Sequence, residues 1–401
     1  MTRTILLDLD DTLLGNSLDN FIPAYIKSLA QRMAPLVPPE KLVPTLMAAT
    51  QAMVTNPSSD RRLEETFGQA FYPVLGLDPV QARPLIDQFY AEDFPKLRPY
   101  TRLKPESADL VHEALAKGYR VAVATAPLFP RTAIWQRLEW AGLPVESTGF
   151  ALVSSYEGFH FTKPHPAYYT EFLAQLGWPE GPVVMVGDDP KQDIQPARTI
   201  GLPVFWTPPD PARPWEGLSP APPQGSLADV FPWLEDQPDE ILLPHFNTPT
   251  ALKAILRSTP AALDTLFAAQ DPNTLPVSPA PNEWSATEIL CHLRDAENEV
   301  NLPRVERILR EANPFIAGRD TDAWAEQRQY IRQSPLEALQ AFTQHRLRLM
   351  AILDQMEEAD WQRQVRHAIF GPTNFQEILR IIADHDRLHI QQLFQGQHIH
   401  F

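Results

Sequence analysis

The spacing of apolar residues changes along this chain and predicts different elements in different regions. Residues 5–14 read ILLDLDDTLL, an apolar run broken by carboxylates, and such a run is typical of a strand buried in a parallel sheet. Three stretches follow with apolar residues three and four positions apart: FIPAYIKSLAQRM, KLVPTLMAATQAM and LEETFGQAFYPVL. This spacing predicts helices between the first strand and about residue 100.

The chain from His245 onward keeps helical spacing and has almost no strand signal. Ser285 and Ser334 are each followed three residues later by glutamate, a pattern that starts helices. Four main helices are predicted, near 249–268, 285–311, 335–357 and 374–395. Their number favours a four-helix bundle with longer connections around NPFIAGRDTDAW and RHAIFGPTN.

A proline-rich stretch marks the boundary between these two kinds of sequence. TPPDPARPWEGLSPAPPQG has no periodicity and reads as a semi-rigid surface segment, and SLADVFPWLE after it predicts a last short helix. We therefore expect a first domain over residues 1–236, a linker region over 207–245 that overlaps its end, and a second domain over 246–401.

Composition narrows the class of protein. The 401 residues are 44% hydrophobic, enough for two cores, and a single cysteine, Cys291, excludes an intramolecular disulfide. The formal charge of −16 and the lack of basic clusters argue against nucleic acid or anionic membrane as partners. No stretch is long and apolar enough to span a membrane, and the N-terminus enters a strand at once, so we expect a cytoplasmic protein.

The most informative residues close the first strand: Asp8, Asp10 and Thr12. The carboxyl ends of strands in open α/β sheets are where such folds place their chemistry. Two carboxylates held this close repel each other unless a cation neutralises them, which indicates a hard metal such as Mg²⁺.

This first region resembles the haloacid dehalogenase-like (HAD) superfamily over residues 1–236. The DLDDT string matches its first motif, VAVATAP with Thr125 the second, HFTKPHP with Lys163 the third, and VVMVGDDPKQD the fourth. Four motifs in order imply an α/β fold with a Rossmann-like, doubly wound parallel sheet. They also imply a helical cap inserted over residues 15–100, which would select the substrate and exclude water.

The resemblance implies a role for each catalytic residue. Asp8 would attack phosphorus as the nucleophile and form an aspartyl-phosphate. Asp10 would protonate the leaving oxygen and later take a proton from the hydrolytic water. Thr125 and Lys163 would stabilise the phosphoryl oxygens.

The same resemblance implies a Mg²⁺ site built from four aspartates. Asp8, Asp188 and the backbone carbonyl of Asp10 would bind the metal. Asp193 would orient a metal-bound water or Lys163. Asp189 is either a further acid or a solvated loop residue.

The leaving group separates phosphatases from the dehalogenases that give the superfamily its name. A halide needs no proton, whereas an alkoxide does, and Asp10 supplies that acid. The sequence thus favours a phosphatase acting on a small phosphorylated metabolite. A phosphotransferase of the sugar-phosphate mutase type remains an alternative. The candidates for substrate contacts are Asn16, Asp19, Arg61, Arg62 and Tyr100.

Three histidines stand out in the second domain. His292 lies on the apolar face of its predicted helix, and His385 and His389 lie one turn apart on the apolar face of the last helix. Imidazoles at this spacing can bind one metal ion, and a third nitrogen would give a three-histidine site with open positions.

The second domain resembles the DinB/YfiT-like metal-binding helical bundles over 246–401. EWSATEILCHLRDAE carries the first histidine and ADHDRLHIQQL the other two. Zinc or nickel would suit such ligands. Cys291 points about 100° away from its neighbour His292, so we interpret it as a small core residue.

Two hypotheses for the whole chain follow. One is a bifunctional enzyme that joins a Mg²⁺-dependent phosphatase to a second metal-dependent enzyme. In the other, the bundle is a non-catalytic binding or dimerising module, and this hypothesis allows for a homodimer.

Overall fold

The computed structural model of the chain describes residues 1–16, 18–210, 213–321 and 323–395. Two positions of the proline-rich segment, 211 and 212, and the last six residues of the predicted second domain lie outside this part. The described residues form two compact units: Met1–Pro57, Arg61–Tyr168 and Pro179–His245 make the first, and Ser58–Asp60, Tyr169–Trp178 and the described residues from Phe246 onward make the second.

A parallel sheet forms the centre of the first unit. Its strands and two short strands beside the cap are β1 (Thr4–Leu7), β2 (Leu14–Gly15), β3 (Arg102–Leu103), β4 (Arg120–Val123), β5 (Val183–Gly187) and β6 (Val204–Trp206). The sheet order is β4-β1-β5-β6 with every pairing parallel. All residues of β1 and β5 are buried, which explains why their sequences are continuous apolar runs.

The strand register brings the predicted motifs together. Leu7 pairs with Val123 of β4 and with Val186 of β5, so the chain positions just after these residues lie side by side. The amide of Asp8 donates to the carbonyl of Val186 at 3.0 Å. Asp8 therefore leaves the sheet between the ends of the two neighbouring strands.

Helices surround this sheet and build the cap. They are α1 (Leu18–Met33), α2 (Pro39–Val54), α3 (Leu63–Leu75), α4 (Pro79–Gln88), α5 (Pro105–Ala116), α6 (Arg131–Trp140), α7 (Val145–Thr148), α9 (Gln195–Thr199) and α10 (Leu227–Asp236). Helix α8 (Pro166–Gln175) begins in the first unit, but most of its residues belong to the second. The first four helices lie between β2 and β3, which pair antiparallel through Leu14 and Leu103. This pair closes the cap segment at its base, and α10 is the short helix predicted after the proline-rich stretch.

The second unit is a helical bundle. Its helices are α11 (Pro249–Ala268), α12 (Ala286–Ala296), α13 (Leu302–Arg310), α14 (Trp324–Gln327), α15 (Pro335–Leu353) and α16 (Phe375–Gln395). A π-helical turn, Glu297–Asn301, joins α12 to α13, so the predicted helix over 285–311 is continuous but locally widened. The serine hydroxyls of Ser285 and Ser334 cap α12 and α15 as the sequence predicted.

A buried ion-pair network crosses the centre of the bundle. The Arg346 guanidinium on α15 donates to Glu297 at 2.7 and 3.0 Å and to Asp386 of α16 at 2.5 and 3.2 Å. These three side chains are at most 1% exposed. The network connects α15 to α16 and to the turn that contains Glu297, and removing one of its charges would leave the others buried and unpaired, at a cost of about 3–5 kcal/mol.

The long connections of the bundle differ from the helical pattern around them. They contain β7 (Phe315–Ile316), β8 (Gln364–His367) and β9 (Gly371–Asn374), which form a small sheet in that order. The sequence predicted no strands here, because two to four residues are too few to show alternation. No helix in the described ranges is both long and apolar enough to cross a membrane.

Candidate active site and second metal centre

A buried lysine lies at the middle of the first candidate site. Lys163 Nζ is 2.7 Å from Asp8 Oδ1 and 2.6 Å from Asp193 Oδ1. Lys163 and Asp193 are 2% and 1% exposed, and Asp8 is 6% exposed. The ammonium group thus fixes the candidate nucleophile from the end of β1 against a carboxylate that follows β5.

The third carboxylate leaves this cluster with excess negative charge. Oxygens of Asp8, Asp188 and Asp193 lie within 4.8 Å of one another. Burial and the nearby Asp8 raise the pKa of Asp188 to about 9, and the same two causes raise the pKa of Asp193 to about 7. Three carboxylates with one ammonium fit a hard divalent cation, which would let all of them ionise.

Gly187 makes this arrangement sterically possible. A Cβ at this position would lie 2.4 Å from the Asp193 carboxylate, so any other residue would displace the aspartate. Asp189 has a different role: its carboxylate accepts hydrogen bonds from the backbone amides of Lys191 and Gln192 at 2.7 and 3.1 Å. Asp189 therefore caps the turn that carries Asp193. The sequence predicted either a further acid or a solvated loop residue at this position, and neither prediction included this capping role.

Asp10 is held by two side chains that sequence reasoning did not connect to it. Asn16 Nδ2 donates to Asp10 Oδ1 at 2.8 Å, and the Arg137 guanidinium forms an ion pair with the same oxygen. The Asp10 side chain is 26% exposed, whereas that of Arg137 is 1% exposed, and burial lowers the pKa of Arg137 to about 10. Arg137 still carries its charge at neutral pH and orients the Asp10 carboxylate.

The sequence does contain a signal for Arg137. It lies on the buried face of α6 with Ala133, Ile134 and Leu138. An arginine inside an apolar helical stripe is rarely buried without a partner. That pattern could have identified Arg137 as a residue with an acidic partner, although it could not have named Asp10.

The two threonines of the motifs differ in their surroundings. Thr125 Oγ1 is buried and has no hydrogen-bond partner within the described part of the chain, so it can donate to a bound anion. Thr12 Oγ1 donates to Asp188 Oδ1 over a long 3.4 Å. Thr12 thus supports a candidate metal ligand.

The structure separates the five candidates for substrate contacts. Asn16 lies at the site through its bond to Asp10, whereas Tyr100 is 49% exposed and Asp19 is also exposed. Arg61 donates to the Gln69 side chain, and Arg62 donates to the backbone carbonyl of Glu157.

The three predicted histidines converge in the second unit. His385 Nε2 is 3.0 Å from His292 Nε2 and 3.1 Å from His389 Nε2. Burial, and then the neighbouring imidazoles, lower the pKa of His292 and of His385 to about 3. The rings are therefore neutral at physiological pH, the state in which imidazole binds metals.

A glutamine fixes the third ring in a metal-binding tautomer. His389 Nδ1 lies 2.8 Å from Gln392 Oε1, an acceptor, so Nδ1 carries the proton and Nε2 presents its lone pair to the cluster. Trp284 stacks on His389 with ring centroids 5.8 Å apart and planes 9° apart. The donor set and its orientation fit a transition metal such as zinc.

Access to the histidine cluster is wide. A cavity of about 960 Å³ borders all three rings and is also lined by Glu283, Trp284 and Gln392. Cys291 lies apart from it: its thiol is buried, 3.8 Å from Gln333 Oε1, and burial raises its pKa to about 11. A protonated thiol in this position is a core group, as the sequence predicted.

Comparison with known proteins finds a family match for each of two parts of the chain. Residues 2–201 match the model of the haloacid dehalogenase-like hydrolases, and residues 255–393 match that of the DinB superfamily. Phosphoserine phosphatase from Thermus thermophilus is 27% identical over 264 residues, which cover 57% of this chain and 98% of that protein.

Two solved structures are each similar to a part of the chain. The 2-haloacid dehalogenase from Pseudomonas syringae pv. tomato is 23% identical with a TM-score of 0.43, covering 59% of this chain and 99% of that one. YfiT from Bacillus subtilis, a probable metal-dependent hydrolase with an unusual four-helix bundle topology, is 19% identical with a TM-score of 0.35. That match covers 40% of this chain and 90% of YfiT.

Proposed function

We propose, from the match of residues 2–201 to the haloacid dehalogenase-like hydrolases and of residues 255–393 to the DinB superfamily, that the first unit is a Mg²⁺-dependent phosphatase. Its substrate is a small phosphorylated metabolite, hydrolysed in the cytoplasm through an aspartyl-phosphate. The observation that carries the proposal is the Lys163 ammonium, which bridges Asp8 and Asp193 beside Asp188.

In the first step Asp8 attacks phosphorus while the bond to the leaving oxygen breaks. Asp10 gives its proton to that oxygen, so the alcohol leaves neutral. The bound phosphate dianion favours the protonated form of Asp10 by repulsion, against the effect of Arg137. Asn16 and Arg137 keep the carboxyl group in place during this change.

In the second step Asp10 takes a proton from water, which attacks phosphorus and breaks the bond to Asp8. The products are inorganic phosphate and free Asp8. Thr125 and Lys163 donate to phosphoryl oxygens in both steps. Asp8, Asp188 and the Asp10 carbonyl would hold Mg²⁺, which would supply positive charge to the transferring phosphoryl group, and Asp193 would orient Lys163 or a metal-bound water.

The acid Asp10 favours phosphate esters over haloacids, because expulsion of halide needs no proton. The name of the Thermus thermophilus relative supports the same reaction class. A sugar-phosphate mutase would need a bisphosphate activator and would release little phosphate, which separates the two activities experimentally.

The test is phosphate release from a panel of phosphorylated metabolites, with and without Mg²⁺. We expect Mg²⁺-dependent release by the full chain and a loss of at least about 10,000-fold in Asp8→Asn. Asp189→Asn is the matched control, because asparagine also caps helices and the same charge is removed next to the site. Release by Asp8→Asn at the rate of this control would refute the aspartyl-phosphate mechanism.

For the second unit we propose a metal site in which His292, His385 and His389 bind Zn²⁺ or Ni²⁺ through Nε2. The convergence of the three nitrogens supports it. Open positions on the side of the large cavity would allow catalysis on a second substrate. Metal analysis of the full chain tests the site, and metal-free protein that remains a stable dimer would favour a binding or dimerising module instead.

A further inference from the structure

The proline-rich segment (residues 207–225) packs within the first unit, beside the candidate Mg²⁺ site. It begins directly after β6, and its far end pairs with the same strand. The Trp206 amide donates to the Pro223 carbonyl at 2.9 Å, and the Gly225 amide donates to the Trp206 carbonyl at 3.1 Å. The segment therefore returns to the strand that it leaves, and its end covers the outer edge of β6, the last strand in the sheet order.

Trp206 connects this strand to a candidate metal ligand. Its side chain is fully buried, and its indole Nε1 donates to the backbone carbonyl of Asp188 at 2.7 Å. Trp206 pairs with Gly187 in the register of β5 and β6, so the indole lies beside the chain that leaves β5. Asp188 is thus held at its main chain by Trp206, whereas Thr12 holds its carboxylate over the longer distance of 3.4 Å.

Trp215 of the proline-rich segment packs against the Trp206 ring. The two ring centroids lie 5.3 Å apart with their planes at 66°, which is an edge-to-face contact. Trp215 is half-buried, and its own indole Nε1 donates to the Leu218 carbonyl at 3.0 Å. Arg198 of α9 donates to the same carbonyl at 2.9 Å. The turn that carries Trp215 is therefore fixed to the helix that follows Asp193.

We propose that Trp206 is a positioning residue of the candidate Mg²⁺ site and that Trp215 holds the Trp206 indole in place. This inference rests on the Mg²⁺-dependent phosphatase proposed above. Mg²⁺ demands near-ideal octahedral geometry, so a shift of the Asp188 backbone would weaken its binding. Groups that hydrogen-bond to metal ligands contribute about 10- to 100-fold to metal affinity. The proline-rich segment is then a support of the metal site through Trp215.

The first variant separates this role from simple packing. Trp206→Phe keeps an aromatic ring against Trp215 and removes only the Nε1 donor to Asp188. A residue that merely fills the core would lose stability in this variant and keep its response to Mg²⁺. A positioning residue also loses affinity for the metal, so the decisive quantity is the dissociation constant of Mg²⁺.

The experiment is a calorimetric titration of the full chain with Mg²⁺ in the absence of substrate, accompanied by phosphate release at increasing Mg²⁺ concentration. We expect Trp206→Phe to raise the Mg²⁺ dissociation constant about tenfold and to change kcat at saturating Mg²⁺ less than about threefold. Trp233→Phe is the matched control, because this half-buried ring packs at 5.0 Å against Phe205, whose side chain lies on the opposite face of β6 from Trp206. It should keep the wild-type dissociation constant.

Trp215→Ala tests the contribution of the proline-rich segment. It should raise the Mg²⁺ dissociation constant about threefold in the wild type, the effect of losing one aromatic pair. In Trp206→Phe it should add less than about 1.5-fold, because both changes act through one hydrogen bond and are not additive. Leu218→Ala, at a 53% exposed position of the same turn, is the control and should bind Mg²⁺ as the wild type does.

The outcomes distinguish this inference from the proposed function. A folded Trp206→Phe protein with the wild-type Mg²⁺ dissociation constant overturns the inference and leaves the phosphatase standing. Additive effects of the two tryptophan variants overturn the role of Trp215. If Trp206→Phe does not fold, Trp215→Ala decides. A wild type that binds no Mg²⁺ overturns both proposals, whereas weakened Mg²⁺ binding in Trp206→Phe without phosphate release by the wild type supports the inference and overturns the phosphatase.

Discussion

The two candidate metal centres of this chain differ in the charge of their buried side chains. In the first unit, three carboxylates share one ammonium, so the centre holds both signs of charge and is partly neutralised without metal. In the second unit, three imidazoles avoid charge altogether, because burial keeps them unprotonated. A metal ion in the first centre would therefore neutralise the negative charge of the carboxylates, whereas one in the second centre would accept lone pairs from the imidazole nitrogens.

The two centres also differ in how they are assembled. The carboxylate and lysine groups come from three segments: the chain after β1 carries Asp8, the loop before α8 carries Lys163, and the chain after β5 carries Asp188 and Asp193. The ends of β1 and β5 lie side by side because these strands pair in parallel. The histidines come from two helices, and two of them are one turn apart on α16. The first centre depends on the register of a sheet and the second on the packing of one pair of helices.

The largest effect should follow from removing the ammonium that balances the first centre. Lys163→Met leaves three buried carboxylates without a counter-charge and is expected to slow phosphate release about 1,000-fold. Its thermal midpoint should depend more strongly on Mg²⁺ than that of the wild type. Lys191→Met, at an exposed position nearby, is the control. A midpoint in Lys163→Met that ignores Mg²⁺ would contradict this account of the charge balance.

Replacing one histidine of the second centre should abolish binding of its metal, which we expect to be zinc. Zinc at about 100 times its dissociation constant is expected to stabilise the wild type by about 2.7 kcal/mol, and His385→Gln should abolish this gain. His345→Gln, elsewhere in the bundle, should retain it. Zinc content measured on both variants checks the result, and equal content would remove the three-histidine site from consideration.

Acid should destabilise the second centre when it is free of metal. The folded pKa values of His292 and His385 are lowered to about 3, below the unfolded value, so the unfolded chain binds more protons as the pH falls. Stability is therefore full above about pH 6.5 and decreases below it, by up to about 1.4 kcal/mol per pH unit for each histidine. Urea unfolding of chelator-treated protein measures this slope. His292→Gln/His385→Gln should flatten it, and an unchanged slope in that variant would assign the acid sensitivity to other groups.

Replacement of Asn16 should have a smaller effect and should show whether this residue orients Asp10 or supports metal binding in the first centre. Asn16→Ala removes one hydrogen bond to a charged group and is expected to lower kcat about tenfold without changing the Mg²⁺ concentration needed for half activity. Asn20→Ala, at an exposed position on α1, is the comparison. A change in the Mg²⁺ requirement alone would place Asn16 on the metal side of the site.

The smallest effect is expected at Cys291. Its thiol is buried and protonated, so Cys291→Ala should cost only about 1 kcal/mol of stability and leave the zinc content unchanged. Chemical denaturation and metal analysis measure the two quantities. Loss of a zinc-dependent turnover in a folded Cys291→Ala protein would instead identify a reactive thiol.

Much of the architecture followed from local patterns. The α/β and bundle fold classes and both family resemblances are confirmed, and α11 begins and ends where apolar spacing placed it. Long periodic segments with capping residues carry this information in consecutive positions. The strands β7 to β9 do not, because their few residues become strands only through pairing with distant segments.

The candidate sites were partly visible for a similar reason. Motif residues stand at strand ends or at helical spacing, so Asp8 and His389 could be named from the sequence, and their roles stay predictions until tested. The partners of Asp10 could not, because Arg137 lies 127 positions away and meets it only through the packing of α6. The capping role of Asp189 depends on a turn geometry that its neighbours in sequence do not specify.

The central position of β1 has a consequence for how the protein is made. Lys163 is synthesised 155 residues after Asp8, and of the two strands that pair with β1, β4 is made before this lysine and β5 after it. At about 5–20 residues per second, the nascent strand waits roughly 10 to 30 s for these partners. Until β4 and then β5 are made, first both edges of β1 and then one edge lack the strands that will pair with them, and an unpaired apolar edge is a site at which nascent chains can aggregate.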